Sequence, residues 1–462
     1  MDCGMVAKAD CRRQKALTRR SPGVLWPRAG LLEGLSPHQA AQWSYASARP
    51  VGLLTGTPGT GKTYTVGAVV RALSRRVGEQ HIAICAPTGK AAVRLGESLR
   101  RVGVGIQPMT IHSLLEIGRN GHDGDGWGFQ RNAANPLDQR VVIVDEASML
   151  DSDLAASLFL ACAPGTHVLL VGDPYQLPPV GHGAPLRDLI AAGAPRGHLS
   201  EIQRNAGLIV RACASIKDGK HFETCERFVS EEGLNLRHIE AAEPPQQIAE
   251  LERVYAALKI SVKFSDLFSV QVIVPTNKSG DLGRKEVNQR LQCLLNPGGE
   301  AAPPNPFRVG DKIICLKNGL HPQEVTNLEA YVANGEIGQV VAVHPRVTHA
   351  RFSSPHRVIR IPMGKPREGE EEEGEAGCDF DLGYAITCHK SQGSEWPCVI
   401  ILADPSPGAR RVCSREWIYT AISRASQLCI TIGREGVLQQ MVARVSLEKR
   451  KTFLVEELGR IW

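Results

Sequence analysis

Eight residues, Gly56 to Thr63 in "TGTPGTGKT", constrain this chain more tightly than any other feature of it. They satisfy G-x-x-x-x-G-K-[ST], after a short apolar run, "VGLLT", and before a stretch rich in Val, Ala and Leu. A strand, a glycine-rich turn and a helix in that order make a phosphate cradle. Gly56, Gly59 and Gly61 permit backbone angles and close approach that a Cβ would block, so successive N–H groups can face phosphate oxygens. Thr57, Pro58 and Thr60 fill the loop between them. Lys62 is expected to reach the β/γ-phosphates of ATP and Thr63 to offer its hydroxyl to Mg²⁺, while the helix N-terminus adds partial positive charge.

The other half of such a site is an acidic residue ending a buried strand. "RVVIVDEASMLD" supplies one: Val141 to Val144 is a continuous apolar run, and Asp145 and Glu146 follow it at the strand's carboxyl end, where parallel sheets bind ligands. Asp145 is expected to hold Mg²⁺, directly or through water, and Glu146 to polarise an attacking water. A further strand, "HVLLVGD", leads into "PYQLPPV", where Gln176 can sense the γ-phosphate and Pro178 and Pro179 stiffen the exit. In "ICAPTGKAAVRL" and "TIHSLL", Thr88, Lys90, Thr110 and His112 sit at strand-to-loop transitions. Hydroxyls, a lysine and an imidazole there suit phosphodiester contacts, although singly such residues also serve as helix caps and turn residues.

At 462 residues the chain is long enough for two or three domains. No apolar run approaches the roughly 18 residues of a membrane span. The N-terminal 30 residues, seven Lys/Arg against two Asp, have no secretory apolar segment and read as a loose basic arm. That arm supplies most of the net charge of +6, while "EGEEEEGE", Glu368 to Glu375, opposes it with six glutamates. Net charge therefore does not argue for nucleic acid; only the placement of particular residues can. The thirteen cysteines are scattered, without C-x-x-C or zinc spacing, and read as reduced buried thiols of a cytosolic protein.

After about residue 200 the strand-then-helix rhythm resumes, in "VQVIVPTNKSGDLGRKEVNQRLQCLLNP", "PCVIILAD", "SREWIYTAISRA" and "LCITIG", implying a second parallel α/β domain without its own phosphate loop. Between these parts, "FRVGDKIICLKN" through "HRVIRIPMG" has alternating strands and Gly/Asn turns, as in a small inserted β-barrel. Such a second domain can still complete an ATP site by supplying cations. In "WIYTAISRAS", Ser414 can cap a helix from which Arg424 projects as an arginine finger, with Arg204 of "LSEIQRNAG" as the second cation.

The ordered blocks "LSPHQAAQW", "TGTPGTGKT", "CAPTGKAA", "TIHSLL", "VDEAS", "GDPYQLPPV", "AITCHKSQGSEW" and "YTAISRA" resemble the superfamily 1B DNA helicases, closest to the RecD-like group (exodeoxyribonuclease V alpha subunit-like) and similar to phage Dda helicase. The resemblance covers roughly residues 35 to 460. It implies two RecA-like P-loop NTPase domains in tandem, an α/β fold carrying an inserted β-hairpin and an inserted SH3-like β-barrel. Expected boundaries are a disordered arm at 1–34, a first domain at 35–199 with the hairpin near 117–140, a second domain at 200–300 and 377–462, and the barrel with its acidic loop at 301–376. By that likeness Gln39 reads the adenine edge, Gly393 and Glu395 meet the nucleotide, Thr387 and His389 touch the DNA strand, and Arg424 is the finger. "GDGWGFQRNAANPLD" stands at the strand-separating hairpin, with Trp127 and Phe129 near its tip, either to stack on a base or to pack a small hairpin core. "IQRN" departs from the family's usual phenylalanine-arginine-glutamine, and about 34 residues precede the adenine segment where many RecD-like proteins have a long domain.

The implied activity is an ATP- and Mg²⁺-dependent motor on single-stranded DNA, moving 5′-to-3′ and unwinding duplex junctions in repair, recombination or replication. Its implied setting is the cytoplasm of a bacterium, or a phage genome, with repair or replication proteins as partners. Three rivals stay open: a DNA-stimulated translocase that does not unwind, a phosphotransferase, and a nucleotide switch unrelated to DNA.

Overall fold

The computed structural model describes residues 25–119, 127–202, 207–229, 232–278, 280–324, 328–353, 356–364, 378–446 and 454–459. The chain divides into two compact units, one of residues 1–205 and 446–462, the other of residues 206–445.

The first unit is built on a six-stranded parallel sheet. Its strands are β1 (Val51–Gly56), β2 (Ile82–Ala86), β3 (Met109–Thr110), β6 (Val141–Val144), β7 (His167–Gly172) and β8 (Arg196–Leu199), in the order β3-β2-β6-β7-β1-β8. Two short antiparallel strands, β4 (Ile117–Arg119) and β5 (Trp127–Phe129), branch from it as a pair of their own. Every residue of β1, β2, β6 and β7 is buried, which is why these segments read as unbroken apolar runs rather than alternating ones. The helix Lys62–Val77 closes one side with Val66, Val69, Val70 and Leu73, each fully buried and each contributing about 1.5–3 kcal/mol of transfer free energy.

Residues 25–34 are not a loose arm. Leu25, Trp26 and Leu32 are buried; Trp26 meets Trp43 edge-on at 5.6 Å and donates its indole N–H to Arg49 O. One tryptophan and two leucines outweigh the basic composition that suggested disorder, while residues 1–24 lie outside the described ones. A second difference lies at the other terminus. The helix Leu454–Gly459 belongs to the first unit, where Leu454 packs on the same core as Leu186 and Leu189, instead of ending the second domain.

The second unit holds a five-stranded parallel sheet of β9 (Leu236–Glu240), β10 (Val270–Val274), β18 (Ala385–Thr387), β19 (Trp396–Ala403) and β20 (Ala425–Gly433), ordered β18-β10-β19-β20-β9. Between β10 and β18 the chain forms an antiparallel sheet of β11 (Lys312–Cys315), β14 (Ile337–His344), β15 (Val347–Ser353), β16 (His356–Pro362) and β17 (Phe380–Leu382). The short pair β12 (Gly319–Pro322) and β13 (Glu329–Val332) accompanies it. Alternating burial along β14 to β16 shows one face packed and one wet, with Val340, Ala350, Phe352, Ile359 and Ile361 inward. The sheet runs to Leu382, six residues beyond the expected end of the insertion, because β17 pairs with β11; a three-residue strand after a glutamate run leaves almost no periodic signal. The glutamate run itself lies outside the described residues.

Buried polar groups fasten this insertion to the parallel sheet. Asp311 accepts from Gln292 Nε2, Asn296 Nδ2, Arg308 N and Tyr384 OH, at 2.5–3.0 Å. Next to it Lys312, with no exposed surface, donates its Nζ to Val270 O at 2.9 Å. Burial pushes the Lys312 ammonium down to about 7, with Asp266 opposing the shift.

In the unfolded chain a lysine titrates at about 10.4. The unfolded state therefore holds the proton more tightly between these values, and the second unit gains stability as pH rises from 7 towards 10, by roughly 1 kcal/mol per pH unit. Lys312→Met is expected to raise the thermal midpoint at pH 7 and to flatten its rise with pH, read by thermal denaturation of both proteins from pH 7 to 9.5. Parallel curves for the two would contradict the account.

Candidate functional site

At the carboxyl edge of the first unit's sheet, the turn after β1 brings backbone rather than side chains to the front. Gly59 and Gly61 have φ of +79° and +83°, which glycine adopts without strain. A Cβ at Gly56 would meet Thr60 Oγ1 at 2.6 Å and Leu199 O at 2.9 Å. Lys62 Nζ lies over the loop, donating to Gly56 O at 2.7 Å and Thr57 O at 3.3 Å; Thr60 Oγ1 donates to Thr57 O at 2.8 Å. These bonds fix the conformation of Thr57, Pro58 and Thr60. The hydroxyl of Thr63 makes no hydrogen bond among the described residues.

Asp145 and Glu146 leave β6 two strands away from β1, with β7 between. The Asp145 carboxylate accepts from Glu146 N at 2.9 Å and is pushed up to about 6, by burial first and by the Glu146 charge second; Lys62 and Arg94 act in the other direction. That coupling places Lys62, Asp145 and Glu146 in one electrostatic neighbourhood. Glu146 has φ of +51°, a left-handed backbone rare for a residue with a long side chain, at a cost of about 1–3 kcal/mol. Its carboxylate makes no hydrogen bond or ion pair among the described residues.

From the intervening β7, Asp173 is fully buried and accepts Tyr175 N at 3.0 Å, which turns the chain so that Gln176 lies 5% exposed beyond it. Gln176 Oε1 is buried without a hydrogen-bond partner among the described residues. Glycine-lined phosphate space, the hydroxyl of Thr63 and the carboxylate of Asp145 make an oxygen donor set of the kind Mg²⁺ prefers, so these residues fit a magnesium-bound triphosphate.

Gln39 stands in the first turn of the helix Pro37–Ala46, which lies so close to β1 and β8 that a Cβ on Gly52 or Gly197 would collide with Ala46 O or Gln42 O. Its Oε1 accepts from Ser36 N at 3.0 Å in a capping box. The expected base-reading amide is thus held in place by the cap, and its NH₂ makes no hydrogen bond among the described residues. Thr88 and Thr110 prove to be helix N-caps, accepting from Ala91 N and Ser113 N, because each stands directly before a helix, Thr88 two residues after β2 and Thr110 at the end of β3. Lys90 follows in the first turn of the helix Gly89–Arg101. His112 is exposed and its ring lies 5.7 Å from that of Phe129, so β5 of the short hairpin packs beside "TIHSLL". The side chain of Trp127 lies outside the described residues.

In the second unit, Thr387 ends β18, half-buried, and its hydroxyl makes no hydrogen bond among the described residues. His389 follows on the short helix Cys388–Ser391. Gly393 turns with φ of +71° and presents Glu395 half-buried ahead of β19. Ser414 caps the helix Arg415–Ser423 through Trp417 N. Arg424 closes that helix but does not project from it. It is 4% exposed, and its guanidinium donates to Thr420 O, Ser394 O and Ser423 Oγ at 3.1–3.2 Å. Carbonyls at a helix C-terminus carry partial negative charge, which draws the cation back onto the last turn. Arg204 lies outside the described residues.

Arg94 was missed by the motif reading. It stands on the same helix as Lys90, four residues on, and its charge is felt by Asp145. Only that i, i+4 spacing hinted at it.

Residues 34–235 match the family described as an AAA domain, and residues 382–432 the UvrD-like helicase C-terminal domain. The chain is 32% identical over 430 residues to the ATP-dependent RecD2 DNA helicase of Deinococcus radiodurans, an alignment covering 92% of this chain and 53% of that protein. To the RecBCD enzyme subunit RecD of Mycolicibacterium smegmatis it is 29% identical, over 94% of this chain and 77% of that protein. The chain thus spans about half the length of the first of these relatives. In fold it is similar to a solved structure of two coordinating Pif1 helicases on forked duplex DNA, with a TM-score of 0.50, 18% identity, and coverage of 92% of this chain and 96% of that one.

Gly56→Ala tests the cradle without removing a charge. The added Cβ meets a backbone carbonyl fixed by the β1–β8 pairing, so the loop must move and nucleotide affinity is expected to fall about tenfold or more, with a stability loss of roughly 1–3 kcal/mol. Titration with a fluorescent ADP analogue reads the first effect and thermal denaturation the second. Unchanged affinity would show that the loop after β1 does not hold the phosphates.

Proposed function

We propose that this chain, a homologue of the RecD-type DNA helicases over most of its length, hydrolyses ATP to move on single-stranded DNA and to open duplex junctions. The observation that carries the reading is Glu146: a carboxylate without a hydrogen-bond or ion-pair partner among the described residues, on strained left-handed backbone, beside a phosphate cradle and a carboxylate suited to Mg²⁺. Strain of that kind persists where the surrounding fold over-determines it, and a reactive site is the usual reason.

In this reading the amides of Gly56 to Thr63 and the Lys62 ammonium hold the phosphates, and Gln39 meets the adenine edge. Thr63 and Asp145 hold Mg²⁺, which when bound supplies charge neutralisation of the β/γ-phosphates. Glu146 orients the attacking water and accepts its proton, and Gln176 reports the γ-phosphate through its buried amide. Gly393 and Glu395 meet the nucleotide from the second unit. Arg424, with Arg204, stabilises charge developing on the γ-phosphate, a role contributing about 10³ to 10⁵ in rate in other nucleotide hydrolases.

Strand contacts are assigned to Thr88, Lys90, Thr110 and His112 in the first unit and to Thr387 and His389 in the second. For the two capping threonines we assign the backbone of the cap as much as the hydroxyl. Alternating grip by the two sets, tied to ATP binding and hydrolysis, would ratchet the strand. We assign 5′-to-3′ movement, the barrel character of the inserted sheet, the wedge role of the β4–β5 hairpin, and a place in DNA repair, recombination or replication on the resemblance of the ordered motifs. We place the protein in the bacterial or phage-infected cytoplasm; none of the described helices is long and apolar enough to cross a membrane.

Lys62→Ala and Glu146→Gln are each expected to abolish DNA-stimulated ATP turnover, whereas Arg424→Ala keeps nucleotide binding and lowers turnover by about 10³ or more. The direction and the unwinding are read on a short duplex with either a 5′ or a 3′ single-stranded tail, with ATP and Mg²⁺. Opening of only the 5′-tailed duplex supports the whole reading. ATP hydrolysis that single strands stimulate without opening either duplex leaves a translocase, and hydrolysis indifferent to DNA would return the phosphotransferase and switch readings.

A further inference from the structure

We infer that the second unit carries a separate phosphate seat for the DNA strand, a pocket of about 260 Å³ where the helix Arg284–Leu295 begins beside β11 and β18. Lys278, Arg284, Lys285 and Lys390 line it, with Ile314, Leu316 and Ile386 as its apolar wall. The inference rests on the DNA-motor reading above and extends it to four cations to which the motifs assign no role.

Arg284 is the fixed element. It is only 5% exposed; its Nη2 donates to Asp381 Oδ2 at 2.8 Å and its Nε to Asn277 Oδ1 at 2.9 Å. Its Nη1 is buried and has no hydrogen-bond partner among the described residues. An unsatisfied buried donor costs about 1–3 kcal/mol, and an anionic oxygen reaching the pocket would remove that cost. Asp381 offsets one of the four positive charges through this ion pair. Arg284 and Lys285 also open a helix of 12 residues whose N-cap, Gly283, offers no side-chain acceptor, so the partial positive charge of that end adds to theirs.

The chemistry favours a backbone phosphate over a nucleotide. Among the described lining residues there is no aromatic platform for a base, and the Asn277 carboxamide oxygen is engaged by Arg284. Four cations and three aliphatic side chains in one lining match a phosphate followed by a deoxyribose. The neighbours point the same way. Lys390 is one residue from His389 and three from Thr387, and Thr387 pairs across to Val274 at the end of β10, from which Asn277 and Lys278 emerge. A strand that passes Thr387 therefore comes beside the pocket within a nucleotide or two.

The seat also gives the inserted sheet a part in strand binding. Lys390 Nζ donates to Asn334 Oδ1 at 2.8 Å and to Leu316 O at 3.3 Å, both in the insertion, and Ile314 of β11 forms part of the wall. The insertion holds one of the cations that grip the strand in place.

The experiment measures binding of a fluorescent oligo-dT to the full chain at several salt concentrations, by anisotropy, for wild type and for Lys278→Ala/Lys285→Ala. Losing two phosphate contacts is expected to weaken binding by about tenfold or more and to reduce the slope of log K against log salt by about 1.4. Lys220→Ala, which removes an exposed lysine elsewhere on the second unit, is expected to leave the slope where it was. Thermal midpoints confirm that each variant folds. A double variant with the wild-type slope overturns the seat while the motor reading stands; wild type that does not bind the oligonucleotide overturns the motor reading itself. A thermal shift with inorganic phosphate that the double variant loses, with oligonucleotide binding unchanged, would overturn the strand assignment in favour of a site for free phosphate.

Discussion

The close approach of backbone at the turn after β1 is the constraint from which the rest of the first unit follows. A phosphate-facing row of N–H groups requires a turn without Cβ atoms, a helix starting directly behind it, and a strand feeding it from inside a sheet. Because its strands all run the same way, every strand of a parallel sheet delivers its following loop to the same edge. Asp145 and Glu146 after β6, and Asp173 and Gln176 after β7, therefore arrive beside the turn after β1 without any further device. Gly52 and Gly197 extend the same logic to the helix bearing Gln39, since only glycine lets that helix lie directly on β1 and β8.

What the sequence made legible follows from how locally each feature is encoded. The turn at Gly56–Thr63, the acid pair after β6 and the Ser414 cap are written in contiguous residues whose spacing has a direct steric meaning, and each is found where the pattern puts it. The packing of residues 25–34 was hidden, because two tryptophans 17 positions apart make contact only once the helix that carries Trp43 has formed. Strand β17 was hidden for a different reason. Three residues cannot show a period, and its place is decided by β11, which lies over 60 residues earlier in the chain. The same holds for the conformation of Arg424: motif spacing names the residue but carries nothing about which acceptors its guanidinium meets.

The second unit solves a different problem, which is how to insert an antiparallel sheet into a parallel one without loosening either. Its answer is a set of polar bonds between residues distant in sequence. Asp311 gathers four donors from both sides of the junction, Gln271 Nε2 reaches Gly383 O and Tyr384 O, and Lys312 crosses to Val270. Buried polar groups of this kind add little net stability relative to apolar packing, but they are costly to mispair, so they select one seating of the insertion. The low proton affinity of Lys312 is a cost of that choice, since its buried Nζ meets the neutral carbonyl of Val270 and Asp266 only partly opposes the effect of burial.

Three buried arginines of the second unit differ in whether a carboxylate already offsets their charge. Arg284 is 2.8 Å from Asp381 and Arg357 is 2.7 Å from Glu336, each a carboxylate held within the same unit. Arg424 is buried as deeply, yet its acceptors are two carbonyls and a hydroxyl, and among the described residues no carboxylate pairs with it. Hydrogen bonds from a charged group to neutral acceptors offset part of its desolvation and none of its charge, whereas a phosphate oxygen offsets both. A guanidinium kept in place by neutral groups is therefore pre-oriented but electrostatically unsatisfied. It can exchange three weak acceptors for a strong one as charge develops on a γ-phosphate, without first breaking an ion pair. An arginine already neutralised by a carboxylate would first have to break that pair, so the absence of such a partner among the described residues supports the role on the reacting phosphate proposed for Arg424.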